Sequence, residues 1–403
     1  MEIHGSVTPG FEKVRDVFAS FWLECELGAS VCAYVQGERV VDLWAGYKDA
    51  AQQDPWLADT LVNVYSTTKG LAALAIAALY DEKLIEYSAP VAEYWPEFGA
   101  AGKSKITVAE LLAHKAGLSA VDQKLSVEDL YNWQKMTNLI ASQSPLWPPG
   151  TASGYHPVTW GYLPGELIRR ITGQSMGAYF RHKIGDPLNA DCFIGLPDGE
   201  HYRCATLNGP NRARRNVHES REAGTSAIDT SPVRPPAQPP VQEQQPVSPL
   251  YDQSMLNPVI VPFKHACSPE WRRAEIAASN GHASARGLAK IYAMLAMHGE
   301  LEGTRIISAE AIDAATQPEV ETSKDLVMNS VIRRSRGFIL NTDGNYGPNK
   351  MAFGHNGAGG STAYADRGSG VSMAYVMNQM LSDSLSEPRA NRLTHALYEC
   401  IQR

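Results

Sequence analysis

The sequence predicts a discontinuous α/β fold in which both chain ends build one sheet around an inserted helical lobe. Three observations carry this reading. β-Rich runs occur near both ends, at residues 31–36 and 39–44 and again around 338–340, 362–366 and 370–377. Between them, apolar residues recur at helical spacing. Residues 66–80, STTKGLAALAIAALY, are small or apolar almost all round, which suits a helix packed on every side. Strands at both ends with helices between them imply a sheet completed by the C-terminus.

Taken in order, the first helix is expected at 11–26, where Phe11, Val14, Val17, Phe18, Phe21 and Trp22 share one face. The strands 31–36 and 39–44 follow, joined by a short hairpin turn at Gly37-Glu38. Helix 66–80 should be central. Polar–apolar patterns at 108–113, 127–140, 159–171 and 175–184 make the middle of the chain α-rich. Residues 231–262 hold Pro232, Pro235, Pro236, Pro239, Pro240, Pro246 and Pro249, so neither helix nor central strand is expected to persist there. That stretch reads as a long loop or lid. Helix resumes at 283–298, and a closing helix covers 390–401. No internal repeat is visible.

The 403 residues are 44% hydrophobic and 20% charged, which fits a compact globular chain. Lys plus Arg total 36 against 43 Asp plus Glu, a net charge of -7. Without a basic face this argues against a nucleic-acid partner. The most basic stretch, 212–215 with Arg221, also holds Glu219 and Glu222 and reads as a solvated loop. Residues 1–17 lack the basic start and long apolar run of a secretory signal, and the apolar stretch 70–80 is too short to cross a bilayer. Cytoplasmic residence without a membrane partner is therefore expected. The six cysteines (Cys25, Cys32, Cys192, Cys204, Cys267, Cys400) show neither CxxC spacing nor clustered His, so free thiols are expected and no metal site.

Ser66-Thr67-Thr68-Lys69 is the only S-x-x-K in the chain. The pattern alone is weak, but it follows a β-like run at 61–65 and opens the apolar helix. Residues three apart then share one helical face, bringing hydroxyl and amine together. A helix N-terminus favours developing negative charge. Apolar neighbours Leu71, Ala72 and Ala73 would desolvate Lys69 and lower its pKa toward a range where it can take the Ser66 proton. The alternative is a capping serine with a lysine reaching to solvent. A competing match, Gly173-Gln174-Ser175-Met176-Gly177, fits the G-x-S-x-G nucleophile elbow, which needs a preceding strand. Here Leu163, Leu167, Ile168 and Ile171 have helical spacing, so Gly173 reads as a helix stop and Ser175 as the next helix's cap.

The S-T-T-K run, L-L-A-H-K-A-G-L at 111–118, a tyrosine after W-P-P-G at 147–150, and F-G-H-N-G-A-G-G-S at 353–361 together resemble the serine β-lactamase-related superfamily. Within it the chain is most similar to family VIII carboxylesterases, in order from about residue 10 to residue 385. The resemblance implies a β-lactamase/penicillin-binding-protein-like fold: an antiparallel sheet flanked by helices plus an all-helical lobe. It implies one catalytic unit over 1–403, its α/β lobe at about 1–65 and 275–403 and its helical lobe at about 66–274. It also makes Ser66 the nucleophile, with Lys69 and Tyr155 sharing the base role, and puts the oxyanion hole at the Ser66 and Ala358 amides. His156, His355, Asn356 and Gly357 then lie on the substrate side. Tyr155-His156-Pro157 departs from the family's Y-x-N motif and lacks its asparagine amide, which puts β-lactam recognition in doubt, and His355-Asn356-Gly357 stands where the family usually has K-T-G. His114 reads as a structural histidine. For Tyr155 a surface loop aromatic, and for the glycine run a simple bulge, remain open.

The expected function is hydrolysis of small-molecule carboxylic esters through an acyl-Ser66 intermediate, with no cofactor. An acyltransferase, a β-lactamase or D-amino peptidase, and an inactive scaffold are the rivals. A homo-oligomer is left open.

Overall fold

A computed structural model describes residues 1–209, 248–321, 324–381 and 388–402. The strands are β1 (His4–Val7), β2 (Gly28–Val35), β3 (Glu38–Gly46), β4 (Val62–Asn63), β5 (Cys192–Phe193), β6 (His282–Ala283), β7 (Glu300–Leu301), β8 (Thr304–Arg305), β9 (Ile339–Leu340), β10 (Phe353–Asn356), β11 (Thr362–Asp366) and β12 (Val371–Met377). Seven form one antiparallel sheet in the order β1-β3-β2-β12-β11-β10-β9. The two ends of the chain meet at β2 and β12, paired from Val371↔Val35 to Met377↔Ala29. Every residue of β12 is buried, which is why it reads as a continuous run and not as an alternation.

Helices cover both faces of this sheet. On one, Ser372 Oγ donates to Ala289 O at 2.9 Å, seating the helix Ala285–Ala296. On the opposite face Tyr375 meets Phe21 edge-on at 6.0 Å between ring centroids, and beside it lie the helices Glu12–Glu24 and Pro388–Ile401. The helix Thr68–Asp81 is buried from Thr68 to Leu79, as its uninterrupted apolar run requires. It contacts the helices Ala309–Thr316, Tyr162–Thr172 and Met176–Phe180. A small sheet, β4-β6-β5, lies at its N-terminal end.

Several expectations change in detail. The hairpin turns at Gln36-Gly37, one residue earlier than expected; Val35 pairs with Glu38, and Gln36 and Gly37 stand at φ 52° and 81°. Two left-handed positions match the twist of the flanking strands. The single helix expected at 127–140 is broken into a 3-10 turn, Glu128–Tyr131, and the helix Trp133–Ser142. Asn132 lies between them in extended geometry and accepts the Lys135 N–H on its side chain, so it starts a new helix instead of continuing one. Of the proline-rich stretch, residues 231–247 lie outside the described residues. In the remainder a short helix, Tyr251–Met255, does form, contrary to expectation. It occupies the proline-free interval between Pro249 and Pro258. β1 was not anticipated: its four residues are mostly exposed and carry no apolar alternation. Cys32 and Cys192 are buried free thiols. Among the described residues no helix is long and apolar enough to cross a membrane.

Candidate active site

Ser66 sits on a sharp turn between β4 and the buried helix. β4 pairs with β6, and the Val64 N–H continues this pairing by donating to Gly281 O at 2.9 Å. Tyr65 then takes φ 43°, the left-handed region, at a cost of roughly 1–3 kcal/mol for a bulky residue. Its surroundings hold it there. The Thr68 amide and hydroxyl both donate to Tyr65 O, while Thr68 Oγ1 accepts the Gly281 N–H at 2.9 Å. The turn presents the Ser66 side chain to a cavity.

One helical turn on, Lys69 is completely buried. Its Nζ donates to Pro157 O at 2.8 Å and Ala278 O at 3.0 Å, and approaches Ser66 Oγ at 3.4 Å. Burial holds the ammonium well below its ordinary range, and the Arg334 cation pushes the same way. The Tyr155 hydroxyl donates to Ser66 Oγ at 2.6 Å, and Lys69 Nζ lies 4.8 Å from the centre of the Tyr155 ring. Burial pushes the Tyr155 phenol up to about 12, against the Ser66 hydrogen bond and Arg334. The backbone around Tyr155 is held on both sides. The Gly154 N–H donates to His114 O at 3.0 Å, the His156 N–H to His114 Nδ1 at 2.9 Å, and the Tyr155 N–H to Asp325 Oδ1 at 3.1 Å.

The third side is the turn after β10. The Gly357 N–H donates to Ser361 O at 2.7 Å, and Ser361 Oγ donates to Val64 O at 2.8 Å, tying this turn to the chain just ahead of Ser66. A Cβ on Gly357 would lie 2.1 Å from Val64 O, so only glycine permits this approach. Among the described residues the Ser66 and Ala358 amides have no hydrogen-bond acceptor. His355 is buried, and desolvation lowers it to about 3; its Nδ1 donates to Asn356 O at 2.8 Å. Asn356 Oδ1 accepts the Tyr346 hydroxyl at 3.0 Å.

These groups surround a cavity of about 260 Å³. Ser66, Tyr155, His355, Asn356, Gly357 and Ala358 all line it, with Met255, Met328, Val331, Ile332 and Ile339 supplying an apolar wall. Its charged lining residues are Arg334, buried, and Asp343, exposed. Of the residues proposed from sequence, His156 alone is turned away. Its Nε2 accepts the Leu118 N–H at 2.9 Å and its Nδ1 donates to Gly154 O at 2.6 Å, leaving no ring nitrogen for a substrate. Ser175 is remote from these groups. It follows the helix Tyr162–Thr172, accepts the Ala178 N–H at 3.3 Å as a cap, and donates to Glu275 at 2.7 Å. Sequence reasoning missed Asp325, Arg334 and Tyr346. Arg334 lies in a run of three arginines within four residues, which reads as surface charge until the fold buries two of them, Arg333 and Arg334. No cluster of metal-ligating residues occurs among the described residues.

The Beta-lactamase family model matches residues 23–396. The chain is 34% identical over 381 residues to "Esterase/beta-lactamase LipL" of Mycobacterium tuberculosis (strain ATCC 25618 / H37Rv), covering 94% of this chain and 84% of that one. Among solved structures it is similar to a family VIII carboxylesterase, at 41% identity and TM-score 0.87, covering 99% of this chain and 100% of the other. It is also similar to a penicillin-binding protein homologue from Caulobacter crescentus, at 39% identity and TM-score 0.86, covering 99% and 100%.

Proposed function

This chain belongs to the Beta-lactamase family, and from that premise we propose that it is a serine carboxylesterase acting through an acyl-Ser66 intermediate. The observation that carries the reading is the double contact on Ser66 Oγ, from Tyr155 at 2.6 Å and from Lys69 at 3.4 Å, in the wall of an apolar cavity. In the neutral form favoured by its burial, Lys69 keeps two N–H donors on Pro157 O and Ala278 O. Its lone pair is then left for the Ser66 proton. As that proton moves to Nζ, Oγ attacks the ester carbonyl carbon, and the carbonyl oxygen becomes an oxyanion.

The Ser66 and Ala358 amides, neither with an acceptor among the described residues, are placed to receive that oxyanion in this reading. Collapse breaks the ester C–O bond. The departing alkoxide takes the Tyr155 hydroxyl proton, which Lys69 replaces, so the site ends neutral with Ser66 acylated. Water attacks the acyl-enzyme by the reverse route. Tyr155 thus acts as a proton carrier and not as a standing phenolate, in keeping with a phenol pushed to about 12. A neutral acyl group suits the wall of Met255, Met328, Val331, Ile332 and Ile339. The names of the relatives, esterase and carboxylesterase, support the same substrate class.

Intact-mass measurement after a slow acyl donor should find one acyl adduct, mapped to Ser66 and missing in Ser66→Ala. An adduct on Ser175 would overturn the reading.

A further inference from the structure

The segment carrying Asp325 and Arg334 forms part of the cavity wall and touches Tyr155 directly. Asp325 is wholly buried and Arg334 nearly so, and they pair at 2.7 Å between Nη2 and Oδ2. Asp325 Oδ1 accepts three amides: Tyr155 at 3.1 Å, Val327 at 2.8 Å and Met328 at 2.7 Å. Arg334 Nη1 donates to Ser153 Oγ at 2.9 Å, and the Leu326 N–H donates to Ser153 O at 2.9 Å. The guanidinium lies 5.8 Å from the Tyr155 ring centre. A buried ion pair is a weak source of stability, because desolvation offsets most of its attraction. Its placement here calls for another account.

We propose that Asp325 and Arg334 are positioning residues for proton transfer at Ser66: Asp325 pins the Tyr155 backbone, and the pair as a unit sets the electrostatic balance around Tyr155 and Lys69. This rests on the reading of Ser66, Lys69 and Tyr155 given above. The other titratable side chains near Tyr155 and Lys69 are His114, from the loop after the helix Val108–Leu112, His156, whose ring turns away toward Leu118 and Gly154, and His355 on β10. Burial holds all three below the ordinary histidine value, His156 and His355 at about 3, so they are neutral at working pH. The fixed charges are therefore those of Arg334 and Asp325. Removing one leaves the other unbalanced, and the sign of the effect depends on which is removed.

The test measures kcat, KM and the pH dependence of kcat/KM for p-nitrophenyl butyrate in Asp325→Asn, Arg334→Gln and the double variant. Without Asp325 the Arg334 cation favours proton loss from Lys69 and Tyr155, so the ascending limb should move to lower pH. Without Arg334 the carboxylate favours proton retention, so the limb should move to higher pH. Shifts of about half a unit to one unit in opposite directions are expected. In each single variant kcat should fall about tenfold or more with KM little changed, the pattern of an interaction lost in the transition state. The double variant should bring the limb back toward wild type. If either single variant fails to fold, the double variant decides: a restored limb with reduced kcat supports the proposal. Limbs that stay put, or move the same way, overturn it. Wild-type enzyme that turns over the ester without acylating Ser66 would instead overturn the underlying reading.

Discussion

In the proposed mechanism Lys69 serves chemistry at the expense of the fold. Its side chain is completely buried, so its charged form is penalised in the native state and not in the unfolded chain. Between the depressed native pKa and about 10.4, the unfolded state binds the extra proton, so unfolding free energy should rise with pH across that window. Lys69→Met has no such group. The stability difference between wild type and Lys69→Met should therefore shift in favour of wild type as pH rises, by at most about 1.4 kcal/mol per unit. Parallel denaturation curves at every pH would contradict it. The same sign governs catalysis. The neutral fraction of Lys69 grows with pH, so kcat/KM should climb through a limb well below 10.5 and not fall before Tyr155 ionises near 12. His355 sits at about 3 and should contribute no limb near the usual histidine value. Lys69→Ala and Tyr155→Phe should each lower kcat by about 100-fold or more, and the double variant should lose far less than the product. Ser175→Ala should keep most activity. His355 also bears on β-lactams: it is neutral where K-T-G supplies a cation, Arg334 is committed to Asp325, and the exposed charge lining the cavity is Asp343. Losing a charge-assisted hydrogen bond costs roughly 1.5–3 kcal/mol. Nitrocefin should accordingly be a poorer substrate than p-nitrophenyl butyrate, and the reverse order of kcat/KM would defeat the argument.

At the scale of elements, legibility followed periodicity. The helix Thr68–Asp81 and the strands β2, β3, β11 and β12 were readable because apolar runs of the right length admit few alternatives. Boundaries were less so. The break at Asn132 depends on one side chain choosing to cap, and the helix Tyr251–Met255 on where the prolines happen to be absent. Within the site, Ser66 and Lys69 were legible because i and i+3 on a helix are neighbours by geometry. Asp325 and Arg334 were not, since their partners Ser153 and Tyr155 lie some 170–180 residues away and no local pattern announces the contact. The turn after β10 is an intermediate case: its glycines were visible, but the reason for them is an approach to the chain ahead of Ser66. That reason is testable. Gly357→Ala would force its Cβ against Val64 O and Ser361 Oγ, at 2.1 and 2.2 Å, both rigidly held. The turn must then move away from Ser66, so acylation by a fluorophosphonate should slow by about 100-fold or more. An unchanged labelling rate would separate this turn from the reaction.

Over the whole molecule, the site depends on elements drawn from both ends of the chain. β2 and β12 pair across more than 300 residues of sequence, and the helices Glu12–Glu24 and Pro388–Ile401 pack together beside them, joined by the Arg392–Glu24 pair at 2.8 Å. From the second of these helices Arg389 reaches inward. Its Nη1 donates to Glu26 at 2.7 Å and to Gln379 O at 3.0 Å, and its Nη2 donates to Gly359 O at 2.9 Å, one residue beyond Ala358. The C-terminal helix thereby braces the turn that carries a proposed oxyanion donor. Arg389→Met removes the cation from a buried carboxylate, which typically costs about 3–5 kcal/mol, and frees the Gly359 carbonyl at the same time. Pairing it with Glu26→Gln isolates the second effect, because the orphaned charge is then gone. The single variant should melt well below wild type and acylate slowly. The double variant should recover much of the thermal stability while acylation of Ser66 stays slow, because the brace on the turn is still missing. Full recovery of both quantities in the double variant would show that Arg389 only neutralises Glu26 and that the turn holds itself.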